Sequence, residues 1–282
     1  MIRIVTDSNA FFFEPDYAKS HNVRVVPLSV RVGGEVIPET FLTTEQLFKR
    51  INGGPLPKLE PPSPEHFAAL FEELSQTTDT IVCIHFSGKL SGVPQNARAG
   101  AEALKGRTHI HVIDSATASI GLGALVEAAV REAERGADAE TLMKIVRGYI
   151  PQLYGVFFAD TMAYAARLSH IGRAHALLGE MLTIKPILAL EEGDLLPIEK
   201  ARTRAEAIEK LVEYSIEFSA IERCAIVQAT PRPTEDTRAL LEQLAAELPG
   251  QKWPIITYSP SLATLLGPDA LGIIVLDGEV AD

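Results

Sequence analysis

The sequence predicts an α/β protein in two parts. The first is an N-terminal α/β domain with a mostly parallel sheet over residues 1–153, and the second is a C-terminal α+β domain with a mixed sheet over residues 154–282. In the first half, short apolar runs alternate with amphipathic segments, as in parallel strands covered by helices. In the second half, a turn signal between two apolar runs indicates antiparallel strands. Hydrophobic residues make up 46% and charged residues 22% of the chain, so a folded core is expected.

The first half alternates strand and helix signals along the chain. Apolar runs of strand length occupy residues 2–6, 23–30, 81–86 and 109–113. Apolar residues at helical spacing occupy residues 64–74, 93–104 and 119–136. Ser63 suits the N-cap of the first of these helices, because Pro64 follows at the first helical position. Gly33 and Gly34 predict a turn after the second strand run.

The second half has a different pattern. Strand signals occupy residues 154–158, 182–190, 195–199, 224–228, 255–257 and 272–276, and helix signals occupy residues 161–168, 204–219 and 234–248. The segment Glu-Glu-Gly-Asp at residues 191–194 lies between two of these strands and predicts a hairpin. Strands joined by a hairpin are antiparallel, so a mixed sheet is expected here.

Three strands of the first half run into short polar loops. The polar residues at these strand ends are Thr6, Asp7, Ser8, Ser87, Ser91, Asp114 and Ser115. Ligands of open α/β sheets bind at the carboxyl ends of the strands, so these loops are expected to share one edge of the sheet. Each of these side chains also suits a second role, capping the helix that follows. We expect residues 6–8, Ser63, Asp114 and Ser115 mainly to support the loops.

Composition excludes several classes of function. The formal charge is −11, from 37 acidic and 26 basic residues, so nucleic acid and anionic membrane surfaces are disfavoured as partners. The longest apolar runs are far shorter than the ~20 residues that span a bilayer, and no signal-peptide pattern opens the chain. A cytoplasmic location is therefore expected. Cys83 and Cys224 lie in apolar runs and are expected to be buried thiols without a disulfide.

Known catalytic and cofactor motifs are missing. Gly88-Lys89 is followed by Leu90, which breaks the phosphate-loop pattern, and no glycine-rich fingerprint follows Thr6. The glycines around Ser91 depart by one residue from the Gly-x-Ser-x-Gly spacing of a nucleophile elbow. His109 and His111 alternate along a strand and therefore cannot share a metal ion. We expect no cofactor and no metal site.

The loop around Ser91 is the best candidate for a binding site. Its hydroxyl and the N–H groups of Gly92 and Val93 precede a helix, a position that favours a negatively charged oxygen. A phosphate, a substrate carbonyl and a fatty carboxylate are all compatible with this arrangement. A Ser91-dependent acyl hydrolase is the alternative, with His85 as the candidate base.

A series of short segments along the chain carries a family resemblance. These segments are 4–8 (IVTDS), 26–30 (VPLSV), 62–64 (PSP), 90–92 (LSG), 112–115 (VIDS), 172–173 (GR), 184–187 (IKPI), 202–204 (RTR) and 267–268 (GP). No single motif is decisive, but their order and spacing are specific. Over most of its length the sequence resembles the DegV family of bacterial fatty-acid-binding proteins. The resemblance implies two domains with one long-chain fatty acid in a tunnel between them. It also implies a non-enzymatic protein that presents the acyl chain to a fatty acid kinase.

The resemblance also implies how the carboxylate is held, by a loop Ser, a Thr and a His. Ser91 matches the Ser, but Leu59 stands at the Thr position and Leu265 at the His position. Val93 replaces a loop Thr. Arg173, Arg202 and Arg204 are candidate contacts for the kinase partner.

These replacements predict a less polar head site. Burying about 14 methylene groups stabilises a complex by on the order of 11 kcal/mol before ordering costs, whereas a hydrogen bond to a charged group contributes about 1.5–3 kcal/mol. The acyl chain therefore dominates binding. An ionised head beside Leu59 and Leu265, with Glu60 nearby, would be underpaired, which favours the protonated acid or a less polar lipid.

Overall fold

The protein is described from a computed structural model, which covers residues 2–51, 53–167, 184–218 and 220–278. Its strands are β1 Ile2–Asp7, β2 Arg24–Val26, β3 Ser29–Val32, β4 Glu35–Pro38, β5 Lys58–Glu60, β6 Thr80–His85, β7 His109–Asp114, β8 Leu153–Phe158, β9 Lys185–Glu191, β10 Asp194–Ala201, β11 Ile221–Gln228, β12 Ile255–Thr257 and β13 Leu271–Asp277. Its helices within these ranges are α1 Tyr17–Ser20, α2 Thr44–Ile51, α3 Pro64–Ser75, α4 Gly88–Ser91, α5 Val93–Ala101, α6 Ile120–Glu134, α7 Ala139–Tyr149, α8 Arg204–Ile216, α9 Glu235–Glu247 and α10 Pro260–Leu266.

The N-terminal part is built on a four-stranded parallel sheet with the order β2-β1-β6-β7. Helices α3 and α5 pack on each other and against β6, and α6 packs against β1 and β6. Ser63 caps α3 by accepting a hydrogen bond from the backbone N–H of His66, with Pro64 at the first helical position. The predicted parallel α/β architecture is confirmed.

The prediction of one strand over residues 23–30 was wrong. The chain leaves the parallel sheet after β2, and β3 belongs to a separate antiparallel sheet with the order β4-β3-β5. Pro27 lies at the break and has no N–H to donate to a strand neighbour. Ser8 holds the chain on both sides of it, because its backbone N–H donates to the carbonyl of Val26 and its hydroxyl accepts from the N–H of Leu28.

The C-terminal part is built on a six-stranded sheet with the order β10-β9-β8-β13-β11-β12. Only β11 and β12 pair in parallel, so the sheet is mixed as predicted. The predicted hairpin is the one that joins β9 to β10. The helix predicted over 161–168 is a 3-10 turn over Ala165–Arg167 as far as the described residues extend. Helix α7 went unpredicted, although Asp138 caps it.

One hydrophobic cluster runs through both parts of the chain. It contains Val5 and Cys83 from the parallel sheet and Leu190, Leu265 and Ile274 from the C-terminal part. A second, smaller cluster packs α8 and α9 onto the mixed sheet. Cys83 and Cys224 are both buried free thiols, as predicted. The proposed domain boundary between residues 153 and 154 coincides with the start of β8 and stays a prediction.

Candidate functional site

Three polar loops meet at the carboxyl ends of β1, β6 and β7. The side chains of Asp7 and His85 are in contact at 3.0 Å, and strand register pairs His85 with Asp114. The prediction that the loops share one edge of the sheet is therefore confirmed. We call this edge, formed by residues 6–9, 85–93 and 114–119, the rim.

Asp7 is the buried centre of the rim. Its carboxylate accepts hydrogen bonds from the backbone N–H of Phe86 at 2.9 Å and of Asn9 at 3.1 Å. The oxygen that accepts from Phe86 also lies 3.0 Å from Nδ1 of His85, and both side chains are fully buried. The Nε2 atom of His85 and the hydroxyl of Thr6, also buried, have no hydrogen-bond partner among the residues that the structure describes. Asp7 thus joins the β1 loop to the β6 loop.

Ser91 lies at the end of the short helix α4, just before the left-handed residue Gly92. Its hydroxyl donates to the carbonyl of Ser87 at 2.7 Å, and the carbonyl of Phe86 is a second acceptor at 3.1 Å. It accepts a hydrogen bond from the N–H of Val93 at 3.1 Å, and the N–H of Gly92 donates to the carbonyl of Gly88 at 3.0 Å. The expectation that these N–H groups are open to a ligand was wrong, because the loop closes on itself.

Asp114 and Ser115 fix the loops beside Ser91. Asp114 accepts hydrogen bonds from the backbone N–H groups of Gly88 and Ala116, each at 3.0 Å. A Cβ atom on Gly88 would lie 2.4 Å from the other Asp114 oxygen, so any other residue there would displace the Asp114 side chain. The hydroxyl of Ser115 donates to the carbonyl of Thr117 at 3.1 Å.

A buried carboxylate that the sequence analysis did not identify, Glu39, links the rim to α10. The hydroxyl of Ser8 donates to one oxygen of Glu39, and the backbone N–H of Ser261 donates to the other at 2.8 Å. Burial raises the pKa of Glu39 above its ordinary value and the nearby charge of Asp7 adds to this, while the bonds from Ser8 and Ser261 oppose it. We call the contact of Ser8, Asn9, Glu39, Ser259 and Ser261 the Glu39 junction.

Asn9 completes the Glu39 junction. Its amide nitrogen donates to the hydroxyls of Ser259 at 2.9 Å and Ser261 at 3.1 Å, and its oxygen accepts from the backbone N–H of Ser119 at 2.8 Å. Ser119 has a positive φ of 54°, which is uncommon outside glycine. Asn9 therefore holds an unusual backbone conformation at the rim while it binds the C-terminal part.

The family assignment rests on a match along nearly the whole chain. The sequence model of the DegV family, described as uncharacterised proteins, matches residues 1–277. The chain belongs to the DegV family. A DegV domain-containing protein of Caldanaerobacter subterraneus is 30% identical over 277 residues, which cover 96% of this chain and 97% of that protein. Protein DegV of Bacillus subtilis is 27% identical over 285 residues, covering 96% and 98%.

Solved DegV structures share the fold. A DegV family protein from Thermus thermophilus, described by its fatty acid binding, superposes with a TM-score of 0.84 at 28% identity and covers 98% of this chain and 99% of that one. DegV from Bacillus subtilis, described as a fatty acid binding protein, gives a TM-score of 0.82 at 26% identity, with coverage of 98% and 99%.

Leu59 and Leu265, which the family resemblance predicts to lie at the lipid head, both belong to or contact the shared core. Leu59 on β5 is half-buried against the large cluster, and Leu265 on α10 is buried within it. Helix α10 packs against β3 and β5, so the two segments are neighbours. Glu60 forms an ion pair with Arg31, which compensates its charge.

The predicted partner arginines differ in their surroundings. Arg204 donates to Asp236 and Asp160, each at 2.6 Å, and to the carbonyl of Asp269 at 3.1 Å, and it lies over the ring of Phe158. Its guanidinium is thus engaged within the chain. Arg202 is exposed. Arg173 lies outside the described residues.

The arrangement expected of a hydrolase is not formed. The hydrogen bonds of the Ser91 hydroxyl go to Ser87, Phe86 and Val93, and none joins it to His85. Within the described ranges, no group of three or more His, Cys, Asp or Glu side chains is placed to hold a metal ion. The helices of the described part are too short or too polar to cross a membrane.

The main cavities of the described residues lie away from the rim loop of Ser91. One of them, of about 700 Å³, is at the opposite end of the parallel sheet and is lined by Ile2, Ile4, Thr80 and Glu134 among others. Ser91, Leu59 and Leu265 line none of the five cavities identified among these residues. The interdomain tunnel stays a prediction.

Proposed function

We propose that the protein binds one long-chain fatty acid, with its hydrocarbon chain in the apolar core shared by the two parts and its head at Ser91. The observation that carries this proposal is the continuous cluster itself. It reaches from Leu265 and Leu190 in the C-terminal part to Leu90 and Val93, which flank the loop of Ser91. A tail entering between these residues would leave water completely, while its head meets the polar rim. The fatty-acid-binding DegV proteins of the same fold support this reading.

We propose further that the fatty acid is bound as the protonated acid. A serine hydroxyl has one proton to donate and two lone pairs. The Ser91 proton is donated to Ser87 and one lone pair accepts from Val93, so the remaining capacity is an acceptor. A carboxylic acid O–H can donate to it, whereas a carboxylate cannot. Leu59 and Leu265 offer no hydrogen bond to a charged head, which also favours the neutral form.

Lipid extraction from the purified protein is the first test. Mass spectrometry of the extract should show a free long-chain fatty acid in an amount close to one per chain. Recovery of neutral lipids alone would support the alternative, a DegV protein selective for a less polar lipid. An extract without lipid, together with no binding of added palmitate, would contradict the proposed function.

The pH dependence of palmitate affinity tests the protonated head. A free carboxylic acid titrates with a pKa of about 4.3, as in glutamate. If only the acid form binds, each pH unit above that value costs up to about tenfold in affinity, so the affinity should fall between pH 6 and pH 8. Hexadecanol is the matched control, because it offers the same O–H donor and chain but does not titrate in this range. A palmitate affinity that rises with pH would contradict the neutral head.

We also propose that the bound acid is presented to a fatty acid kinase, as the family resemblance implies. The exposed guanidinium of Arg202 is the contact that the described residues make available, since Arg204 is held by two carboxylates. Arg202→Ala should slow acyl phosphate formation by the kinase without changing palmitate affinity. Arg107→Ala, which removes an exposed arginine from the N-terminal part, should leave the rate unchanged. Equal rates for both variants would contradict the contact.

A further inference from the structure

The tip of the β9–β10 hairpin is seated in the rim. Its two central residues, Glu192 and Gly193, both have positive φ, at 47° and 80°, as a type I′ turn requires. Gly193 is buried, although hairpin tips ordinarily face water. The carbonyl of Gly193 accepts a hydrogen bond from the hydroxyl of Ser87, which is itself fully buried.

Space at the tip is limited to a glycine. A Cβ atom on Gly193 would lie 2.9 Å from the Ser87 hydroxyl and 3.0 Å from the Cα atom of Ala116. The first of these belongs to the β6 loop and the second to the β7 loop. The turn of the C-terminal sheet thus sits between two loops of the N-terminal sheet at contact distance.

Ser87 connects the hairpin tip directly to Ser91. Its carbonyl accepts hydrogen bonds from the Ser91 hydroxyl at 2.7 Å and from the Ser91 backbone N–H at 2.9 Å. Its own N–H donates to the carbonyl of Thr117 at 3.0 Å. One residue therefore holds Ser91 with its carbonyl and the C-terminal part with its hydroxyl, so a shift of the hairpin moves the groups that orient Ser91.

We propose that Ser87 and Gly193 form a latch that positions Ser91 and controls how fast the bound lipid exchanges. The lipid-exchange part of this inference rests on the proposed function. The latch residues act through Ser91 and do not touch the lipid. A lipid lying between the two parts leaves when they separate, and separation at this point requires the Ser87 to Gly193 hydrogen bond to open.

Gly193→Ala against Gly33→Ala is the first test. Both glycines lie in hairpin turns with positive φ, but an added Cβ on Gly33 meets no atom within 4 Å. Both substitutions place an alanine at a positive φ, so the two variants share this backbone strain. The difference between their palmitate release rates therefore isolates the contact of residue 193 with Ser87 and Ala116. Gly193→Ala should speed the release of isotope-labelled palmitate into excess unlabelled palmitate, whereas Gly33→Ala should leave it unchanged.

Ser87→Ala against Ser215→Ala is the second test. Ser215 is also fully buried and donates one hydrogen bond to a backbone carbonyl, that of Leu211 in α8. Loss of one such bond corresponds to a change of about threefold to tenfold. We expect Ser87→Ala to speed palmitate release by that factor and Ser215→Ala to leave release at the wild-type rate. Equal acceleration by both would mean general loosening and would overturn the latch.

Amide hydrogen exchange in the lipid-free protein separates the latch from the proposed function. Ser87→Ala and Gly193→Ala should raise exchange at the N–H groups of Gly92 and Val93, and Ser215→Ala should not. Wild-type exchange in both latch variants would overturn the latch even if palmitate binds. Failure of the wild type to bind palmitate, with raised exchange in the variants, would instead overturn the proposed function alone.

Discussion

The C-terminal part touches the rim at two places that differ in chemistry. At the hairpin latch, the contact is one hydrogen bond from a hydroxyl to a backbone carbonyl, and neither group titrates. At the Glu39 junction, a buried carboxylate accepts hydrogen bonds from Ser8 on one side and from Ser261 on the other. Asn9 adds two more hydrogen bonds to the C-terminal part there, and it accepts a third from Ser119 within the rim.

This difference assigns the two contacts different roles. The Glu39 junction has more hydrogen bonds and buries a carboxylate, so losing a partner there leaves costly unpaired polar groups. The latch is a single hydrogen bond next to Ser91, so opening it costs less free energy than opening the junction. We infer that the junction holds the two parts together while the latch governs access. The variants below test this division, in order of decreasing effect.

Asn9→Ala should have the largest effect on stability. Asn9 is 2% exposed, and its removal deletes three hydrogen bonds and leaves the buried N–H of Ser119 without its acceptor. We expect the free energy of unfolding to fall by about 2–4 kcal/mol in a urea titration. Asn96→Ala is the control, because Asn96 is half-buried and donates to the carbonyl of Pro62 within the N-terminal part. If Asn9→Ala lowers the free energy of unfolding no more than Asn96→Ala does, the junction does not hold the two parts together as inferred.

Glu39→Gln should change how stability depends on pH. Burial raises the pKa of Glu39 in the folded protein above its ordinary value of 4.5. A raised pKa means that the folded protein binds this proton more tightly than the unfolded chain does. Its stabilising contribution is therefore complete below about pH 4.5 and is lost as the pH rises through the folded value. Glutamine does not titrate, so the variant should gain stability relative to the wild type as the pH rises.

Ser87→Ala provides the contrast for this pH dependence. The hydrogen bond from Ser87 to Gly193 involves no titrating group. The difference in the free energy of unfolding between Ser87→Ala and the wild type should therefore be the same at each pH. Urea titrations of both variants at several pH values between 4 and 8 make the comparison. A pH-dependent difference for Ser87→Ala, or a constant one for Glu39→Gln, would remove the distinction between latch and junction.

The sequence predicted the sheets better than the contacts between them. The strand predicted over 81–86 is largely apolar and the one over 109–113 alternates histidine with apolar residues, and their polar ends correctly indicated a shared rim. The turn at Gly33 and Gly34 that joins β3 to β4 was predicted correctly. The separate sheet of β3, β4 and β5 was not, because its strands have three or four residues and show no clear period. Pro27, in the middle of an apolar run, was the available signal for the break.

The contacts made by the site residues could not be predicted from local sequence either. Glu39 and Ser261 are 222 positions apart, and nothing local in either segment indicates the other. An isolated glutamate after Pro38 has the sequence context of a solvent-exposed side chain. The hairpin at 191–194 was predicted from its turn residues, but its contact with Ser87 depends on how the two parts pack. Sequence patterns report local structure and burial, whereas these contacts are set by tertiary packing.

The excess cost of Ser259→Ala over Ser63→Ala should be the smallest of these effects. Both serines cap a helix that begins with proline, and each accepts a hydrogen bond from a backbone N–H three residues later. Loss of either cap should lower the free energy of unfolding by about 1 kcal/mol.

Ser259 also accepts a hydrogen bond from the Asn9 amide, whereas Ser63 is exposed at the surface. We therefore expect Ser259→Ala to cost about 0.5–1 kcal/mol more than Ser63→Ala in the same urea titration. Because Ser261 can still accept from Asn9, this excess should be well below the effect of Asn9→Ala. Equal losses for the two serines would show that the Asn9 amide relies on Ser261 alone, which would narrow the junction to Glu39, Asn9 and Ser261.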